Sequence, residues 1–217
     1  MMKKITLNGP LISDNNKEVY DYYGMVSISA KGLKEQLPED NSDIELSVNS
    51  NGGLVTVGSE IYTLLKSYPG KVTVIVTGMA ASAASVAIMG ADKIVISPTA
   101  QIMIHKASFR WVSGNSDELD KASNALKASD QAIVNAYVTK TGLPEDDIMA
   151  LMRNETYMSA HEAVEKGFAD EVMTFDIVNE LNSGMLPKAV IDNYFERCSE
   201  IRTMKLELEK ADILKDL

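Results

Sequence analysis

The sequence predicts an α/β protein in which helices connect the strands of a parallel sheet. Three observations support this prediction. Residues 44–48 alternate apolar and polar side chains, as a half-buried strand does. Val57, Ile61 and Leu65 then recur at helical spacing. The uncharged stretch 72–91 follows. Its first half is β-branched and its second half is rich in alanine, which indicates a buried strand and then a buried helix rather than a membrane span.

Shorter signals predict the elements around this central pattern. Further strands are expected at residues 5–7, 93–97, 101–104 and 171–173. Helices are expected within residues 20–35, after Pro144, and after the capping box Ser159-Ala160-His161-Glu162. A tight turn at Gly78 is expected to separate the strand 72–77 from the alanine-rich helix.

A long helix is predicted over residues 117–139, between Gly114 and Gly142. With its flanks it covers about residues 114–141. Its apolar stripe needs a partner surface, either the domain itself or another subunit.

We divide the chain into one compact domain over residues 1–173 and a C-terminal tail over residues 174–217. The tail is charged, partly helical at 202–217, and of unassigned function.

The composition of the 217 residues excludes several classes of protein. Hydrophobic residues make up 45% and charged residues 24%, which argues against a disordered or fibrous chain. The net charge of −10 argues against nucleic-acid or membrane partners. Cys198 is the only cysteine, which excludes an internal disulfide and Cys-Cys-His zinc sites. Because Asn8-Gly9-Pro10 interrupts the first apolar run, no signal peptide is evident, and we expect a cytoplasmic protein.

The segment 78–85, Gly-Met-Ala-Ala-Ser-Ala-Ala-Ser, is the strongest candidate for a catalytic site. A nucleophilic serine is best presented on a sharp turn from strand to helix, where the following N–H groups face developing negative charge. Such a turn needs small neighbours, and alanine flanks Ser82 on both sides. The alternative interpretation is that the alanine–serine run only allows close helix packing.

A nucleophilic serine needs a general base, and the chain has two histidines, His105 and His161. His105 follows a predicted strand, and sites form at the carboxyl ends of strands in parallel α/β sheets. His161 lies in a polar helix and is expected to be exposed. A carboxylate must orient the base. Spacing alone does not choose among the candidates Glu155, Asp170 and Asp92.

The turn 49–54, Asn-Ser-Asn-Gly-Gly-Leu, lies between a predicted strand and a predicted helix. It is able to present N–H groups to an anion, and it is equally compatible with a plain turn. It lacks the lysine and the serine or threonine of a nucleotide-binding P-loop, so nucleoside triphosphates are not expected ligands. No metal or organic cofactor is expected.

Four short motifs occur together in an order that is typical of one protein family. They are Val48-Asn49-Ser50-Asn51-Gly52-Gly53 with Gly58 and Ile61-Tyr62; Gly78-Met79-Ala80-Ala81-Ser82-Ala83; Met103-Ile104-His105; and Met158-Ser159-Ala160 with Glu162-Ala163-Val164 and Gly167-Phe168-Ala169-Asp170. With them the chain resembles the Clp-type serine peptidases, the proteolytic subunit of the Clp protease, from about Ile5 to Met173. It looks most like the divergent members of phages and prophages. The resemblance implies an α/β fold of the Clp/crotonase type, with repeated strand–strand–helix units and a protruding handle helix.

The resemblance also implies the roles of the candidate residues. The expected nucleophile, general base, acid and two oxyanion-hole amides are Ser82, His105, Glu155, Gly53 and Ala83. The family usually has aspartate at the position of Glu155. Asp170 matches a position that the family uses structurally, so it is the second choice for the acid.

The implied function is a serine endopeptidase that hydrolyses peptide bonds inside a homo-oligomer, with a heptameric ring or double ring expected. One possible role is proteolysis assisted by a Clp-type ATPase. The other is phage head maturation, with capsid or scaffold protein as the substrate. The chain begins close to its first core strand, without the segment that forms axial loops in housekeeping enzymes. This start favours the second role and puts an ATPase partner in doubt.

Two alternatives stay open at this stage. The sequence departs from the family pattern at Asn51, at Lys106-Ala107 (usually Gln-Pro) and at Glu155, which would suit an inactive assembly protein of the same fold. A crotonase-like acyl-CoA enzyme would also explain Gly52-Gly53. That alternative gives Ser82 and His105 no joint role.

Overall fold

The computed structural model describes residues 2–175 and 191–198. The chain divides into two units, Met1–Thr174 and Phe175–Leu217, and the first unit carries the sheet. In the second, a helix covers residues 191–198. The predicted helical character of residues 202–217 lies outside the described residues.

The first unit is built on a seven-stranded sheet, which confirms the α/β prediction. Its strands are β1 Lys3–Asn8, β2 Ile44–Ser50, β3 Val72–Ala81, β4 Lys93–Ile96, β5 Gln101–Ile104, β6 Thr156–Ser159 and β7 Glu171–Val172. The main order is β1-β2-β3-β4-β7, and all of these neighbours are parallel. β5 pairs parallel with the end of β3 and antiparallel with β6. The sheet therefore divides at β3, whose residues 73–76 pair with β4 and whose residues 79–81 pair with β5.

Helices connect these strands. They are α1 Asp14–Tyr22, α2 Ala30–Lys34, α3 Val55–Lys66, α4 Ala83–Ile88, α5 Ser116–Thr141, α6 Glu145–Arg153 and α7 Ala160–Glu165. The predicted capping box at α7 is present, because Ser159 and Glu162 each accept a hydrogen bond from the other's backbone N–H. The core lies between the sheet and these helices, and Val72, Val74 and Val76 of β3 are fully buried in it.

The turn predicted at Gly78 was wrong, because β3 continues through this residue to Ala81. The pairing of β2 with β3 shifts register between Val48 and Ser50, and the Asn49 side chain accepts a hydrogen bond from the Met79 N–H at 3.1 Å. A Cβ on Gly78 would stand 2.7 Å from Asn49 Oδ1. This glycine therefore admits a neighbouring side chain instead of ending the strand.

Strand β6 was not predicted from the sequence. It has only four residues, and it pairs antiparallel with β5 in a sheet whose other pairs are parallel. Its pairing sets Ile104 opposite Thr156. Through this pairing the segment after α6 reaches the strand that carries His105.

The long helix α5 confirms the predicted handle helix. It begins at a capping box of Asn115 and Glu118 and ends at Gly142, whose φ is 71°. Its second half is buried against the domain at Ile133, Val134 and Tyr137. Its first half is mostly exposed, and Leu119 there remains 43% exposed. This part of the predicted apolar stripe has no partner within the described residues.

Candidate active site

Ser82 stands at the junction between β3 and α4, as the sequence predicted. Its φ of 54° and ψ of −128° lie in a region that residues with a side chain rarely adopt. The turn is held from two sides. The Ser82 N–H donates to the Met103 carbonyl at 2.9 Å, and the Ser82 carbonyl accepts from the N–H groups of Ser85 and Val86. A strained strand-to-helix turn of this kind presents a serine hydroxyl outside both elements.

His105 lies one residue beyond the end of β5. Its Nε2 is 2.7 Å from Ser82 Oγ, which is within reach for a general base. The distance follows from the sheet, because Ala81 at the end of β3 pairs with Met103 near the end of β5. The structure thus brings together the two residues that the sequence analysis paired. His161 is exposed, as expected.

The three candidate acids lie in different places. Glu155 is exposed and has a φ of 47°. It directly precedes Thr156, which pairs antiparallel with Ile104, the residue before His105. Asp170 instead accepts hydrogen bonds from the Ile94 N–H and the Lys140 ammonium group. Asp92 accepts one from the Val72 N–H. Among the described residues, no carboxylate lies within hydrogen-bond distance of His105.

The turn 49–54 packs directly on the nucleophile. Gly52 and Gly53 have φ values of 92° and 154°, which a residue with a Cβ adopts only under strain. A Cβ on Gly52 would stand 2.7 Å from the Ser82 Cβ. Leu11 fixes the turn, because its N–H donates to the Gly52 carbonyl and its carbonyl accepts from the Leu54 N–H.

The backbone amides of Gly53 and Ala83 are candidates for an oxyanion hole. Within residues 2–175 and 191–198, neither the Gly53 nor the Ala83 N–H donates to a protein acceptor. Ala83 is also the first residue of α4, where an N–H has no partner inside the helix. The Ser50 side chain also stabilises the turn 49–54. Its Oγ donates to the Gly9 carbonyl at 2.6 Å and accepts from the Gly52 N–H at 3.1 Å.

The buried hydroxyl groups of Ser85 and Tyr137 stabilise the turn at Ser82. The sequence analysis did not find this pair. Ser85 Oγ donates to the Ser82 carbonyl at 2.6 Å and lies 2.8 Å from the Tyr137 hydroxyl. Burial raises the pKa of Tyr137 above its ordinary value, and the hydrogen bond with Ser85 opposes this only in part. Tyr137 therefore stays protonated. Because the hydroxyl hydrogen of Ser85 is already donated to the Ser82 carbonyl, the Tyr137 hydroxyl donates to Ser85 Oγ. The spacing of three between Ser82 and Ser85 was the available signal, whereas the contribution of α5 is set by tertiary packing.

A cavity of about 60 Å³ opens beside Ser82 and His105. Both apolar and polar residues form its wall. The lining includes Val55, Val86, Lys106, Ala107, Ile133 and Tyr137. The cavity can thus hold a small group next to the Ser82 hydroxyl, the His105 imidazole and the amides of Gly53 and Ala83. These are the functional groups that catalyse acyl transfer.

Comparison with known proteins identifies the family. The model of the Clp protease family matches residues 28–176. The chain belongs to the Clp protease family. The ATP-dependent Clp protease proteolytic subunit of Deinococcus radiodurans is 35% identical over 144 residues, which are 65% of this chain and 69% of that protein. The proteolytic subunit 1 of Chlamydia muridarum is 31% identical over 141 residues, which are 64% of this chain and 73% of that protein.

A solved structure supports the fold separately. A ClpP1 variant from Listeria monocytogenes superimposes with a TM-score of 0.66 at 21% identity, covering 80% of this chain and 92% of that one. These findings confirm the predicted Clp-type fold and the prediction of a serine peptidase of this family, a hydrolase. They give no support to the acyl-CoA alternative.

No helix in residues 2–175 or 191–198 is long and apolar enough to cross a membrane. The same residues contain no cluster of three or more histidine, cysteine, aspartate or glutamate side chains placed to hold a metal ion.

Proposed function

We propose that this member of the Clp protease family is a serine endopeptidase whose nucleophile is Ser82 and whose general base is His105. The observation that supports this assignment best is the 2.7 Å separation of Ser82 Oγ and His105 Nε2. The strained backbone of Ser82 and the free amides of Gly53 and Ala83 beside it add to this support.

The proposed reaction has two stages. Ser82 Oγ attacks the peptide carbonyl carbon while His105 Nε2 takes its proton, and the amides of Gly53 and Ala83 donate to the oxyanion. His105 then protonates the leaving amine, and an acyl ester on Ser82 remains. Water attacks this ester, with His105 again accepting a proton, and the carboxylic acid product leaves with Ser82 restored.

We propose Glu155 as the acid of the triad. The pairing of Ile104 with Thr156 supports it, because this pairing places the adjoining residues His105 and Glu155 at the same end of β5 and β6. Asp170 is the weaker candidate because its Oδ2 accepts from the Ile94 N–H and from Lys140 Nζ, and its Oδ1 also accepts from Lys140 Nζ. In this role Glu155 would accept a hydrogen bond from His105 Nδ1 and hold the imidazole in the tautomer that exposes Nε2 as the base.

We further propose that the protein acts as a homo-oligomer on protein and peptide substrates. The exposed Leu119 of α5, and Phe109 and Trp111 at 50% and 89% exposure, offer apolar contacts to another subunit. A heptameric ring or double ring stays a prediction, as does the cytoplasmic location. The two relatives compared above are named for ATP-dependent proteolysis, which favours an ATPase partner. Neither is described as a phage protein, so phage origin and head maturation remain unsupported predictions.

A fluorophosphonate probe tests the assignment. It should label the protein at Ser82 at one probe per chain, as read by mass spectrometry. Ser82→Ala should abolish labelling and peptide hydrolysis, whereas Ser123→Ala, at an exposed serine of α5, should leave both unchanged. Absence of labelling in the unsubstituted protein would contradict the proposal and favour the inactive assembly protein.

A second assay separates the two biological roles. A folded fluorescent substrate is incubated with the protein, with and without a Clp-type ATPase and ATP. Degradation that needs both would support the ATPase partner. Cleavage of an unfolded substrate at the same rate with and without the ATPase, and no degradation of the folded one, would speak for an autonomous peptidase.

A further inference from the structure

Asp130 is a charged residue in the interior of the domain. It lies on α5 at 3% exposure, and no other Asp, Glu, Lys or Arg of the described residues is as fully buried. Its Oδ1 accepts a hydrogen bond from the Ala107 N–H at 2.8 Å, and its Oδ2 lies 2.9 Å from Lys106 Nζ. A buried carboxylate is strongly unfavourable unless its oxygens are paired. Both oxygens of Asp130 are paired with the segment that directly follows His105.

That segment has few other attachments. His105 leaves the sheet at Ile104, and the next element, α5, begins at Ser116. Between residues 106 and 114, within the described chain, the Ala107 N–H is the only backbone amide that donates a hydrogen bond to a protein acceptor. His105 therefore lies between two fixed points, which are the end of β5 and the bond from Ala107 to Asp130.

We infer that Asp130 is a positioning residue for His105, and this inference rests on the proposed function of the Ser82–His105 pair. The carboxylate holds residues 106 and 107 against α5 and so keeps the His105 imidazole at 2.7 Å from Ser82 Oγ. It acts through the backbone and touches neither Ser82 nor substrate. The same contact draws Lys106 and Ala107 into the wall of the cavity beside the nucleophile.

The test compares three substitutions on the same helix. Asp130→Ala removes both contacts. Asp130→Asn keeps an oxygen for the Ala107 N–H but loses the charge. Asp120→Ala is the matched control, because Asp120 is an exposed acid of α5 without a hydrogen bond or ion pair in the described residues. The measurements are the second-order rate of fluorophosphonate reaction at Ser82 and hydrogen exchange in peptides covering residues 105–109.

We expect Asp130→Ala to react roughly 10- to 100-fold more slowly, because a displacement of about 1 Å in a catalytic group has an effect of this order. Asp130→Asn should recover at least half of that loss on a logarithmic scale, and Asp120→Ala should match the unsubstituted protein. Amide exchange in peptides 105–109 should rise in Asp130→Ala only. The thermal midpoint and oligomeric size are measured for each variant. If Asp130→Ala does not fold, Asp130→Leu, which fills the same space without an acceptor, replaces it.

The outcomes separate this inference from the proposed function. If the unsubstituted protein reacts with the probe and the folded Asp130→Ala or Asp130→Leu protein reacts within threefold of its rate, the positioning role is overturned and the proposed function stands. Equal slowing by alanine and asparagine, with unchanged amide exchange, also overturns it. If the unsubstituted protein does not react, the proposed function fails, and positioning of His105 for catalysis fails with it.

Discussion

Replacing Gly53 with alanine should displace one of the two amides assigned to the oxyanion hole. A Cβ at Gly53 would stand 2.2 Å from the Leu11 carbonyl oxygen and 2.8 Å from the Leu11 nitrogen. Since ordinary contacts of a Cβ begin at 3.4 Å, the turn must move by about 1 Å. An oxyanion-hole donor acts only within 2.7–3.1 Å of the oxyanion, and loss of one donor lowers the rate roughly 10²–10³-fold. We therefore expect kcat to fall by this factor.

The assay is hydrolysis of a fluorogenic peptide, with active sites counted by fluorophosphonate titration. Gly24→Ala is the control, because Gly24 also has a positive φ, of 65°, but a Cβ there meets nothing within 4 Å. Both variants carry left-handed backbone strain, of order 1–2 kcal/mol, and only Gly53→Ala disturbs the site. A kcat for folded Gly53→Ala within threefold of the unsubstituted protein would refute the assignment of this amide.

The remaining predictions concern the acid of the triad and the buried tyrosine. Glu155→Gln should lower kcat by about 10²–10⁴-fold without changing the thermal midpoint. Asp170→Asn should lower the thermal midpoint, through the lost pairing with Lys140, and leave kcat per folded site unchanged; the reverse pattern would make Asp170 the acid. Tyr137→Phe should lower the free energy of unfolding in urea by about 1–3 kcal/mol, since it removes the donor to buried Ser85. Because burial raises the pKa of Tyr137, the folded protein keeps a proton that the unfolded chain releases above about pH 10. Stability should therefore fall as pH rises above 10, and less steeply in Tyr137→Phe; an unchanged slope would contradict the role of this group.

Much of the fold was predictable because its central elements carry strong local signals. The alternation in β2, the helical spacing in α3 and the β-branched run of β3 each match the structure to within a few residues. The position of Ser82 followed from the same signals, since the end of a buried strand and the start of an alanine-rich helix bracket it. The 2.7 Å contact with His105 depends on the pairing of β3 with β5, a tertiary fact.

Other features had no local signal. Gly78 was interpreted as a turn because glycine often marks one, whereas here it gives space to the side chain of Asn49. Strand β6 has four residues, too few for a periodic pattern. The pairings of Asp130 with Ala107 and of Tyr137 with Ser85 join residues 23 and 52 positions apart. Such contacts depend on how α5 packs against the sheet. No short segment of the sequence predicts this packing.

The continuity of β3 also bears on how this protein can be re-engineered. One continuous strand crosses the hydrophobic interior and ends at Ala81, so Ser82 directly follows it. Inserting a single residue between Gly78 and Ala81 would advance the hydroxyl by about 3.3 Å and turn it to the opposite face of the sheet. The loop from Ser108 to Gly114 belongs to no strand or helix, so a change in its length leaves the path of β3 to the nucleophile unaltered.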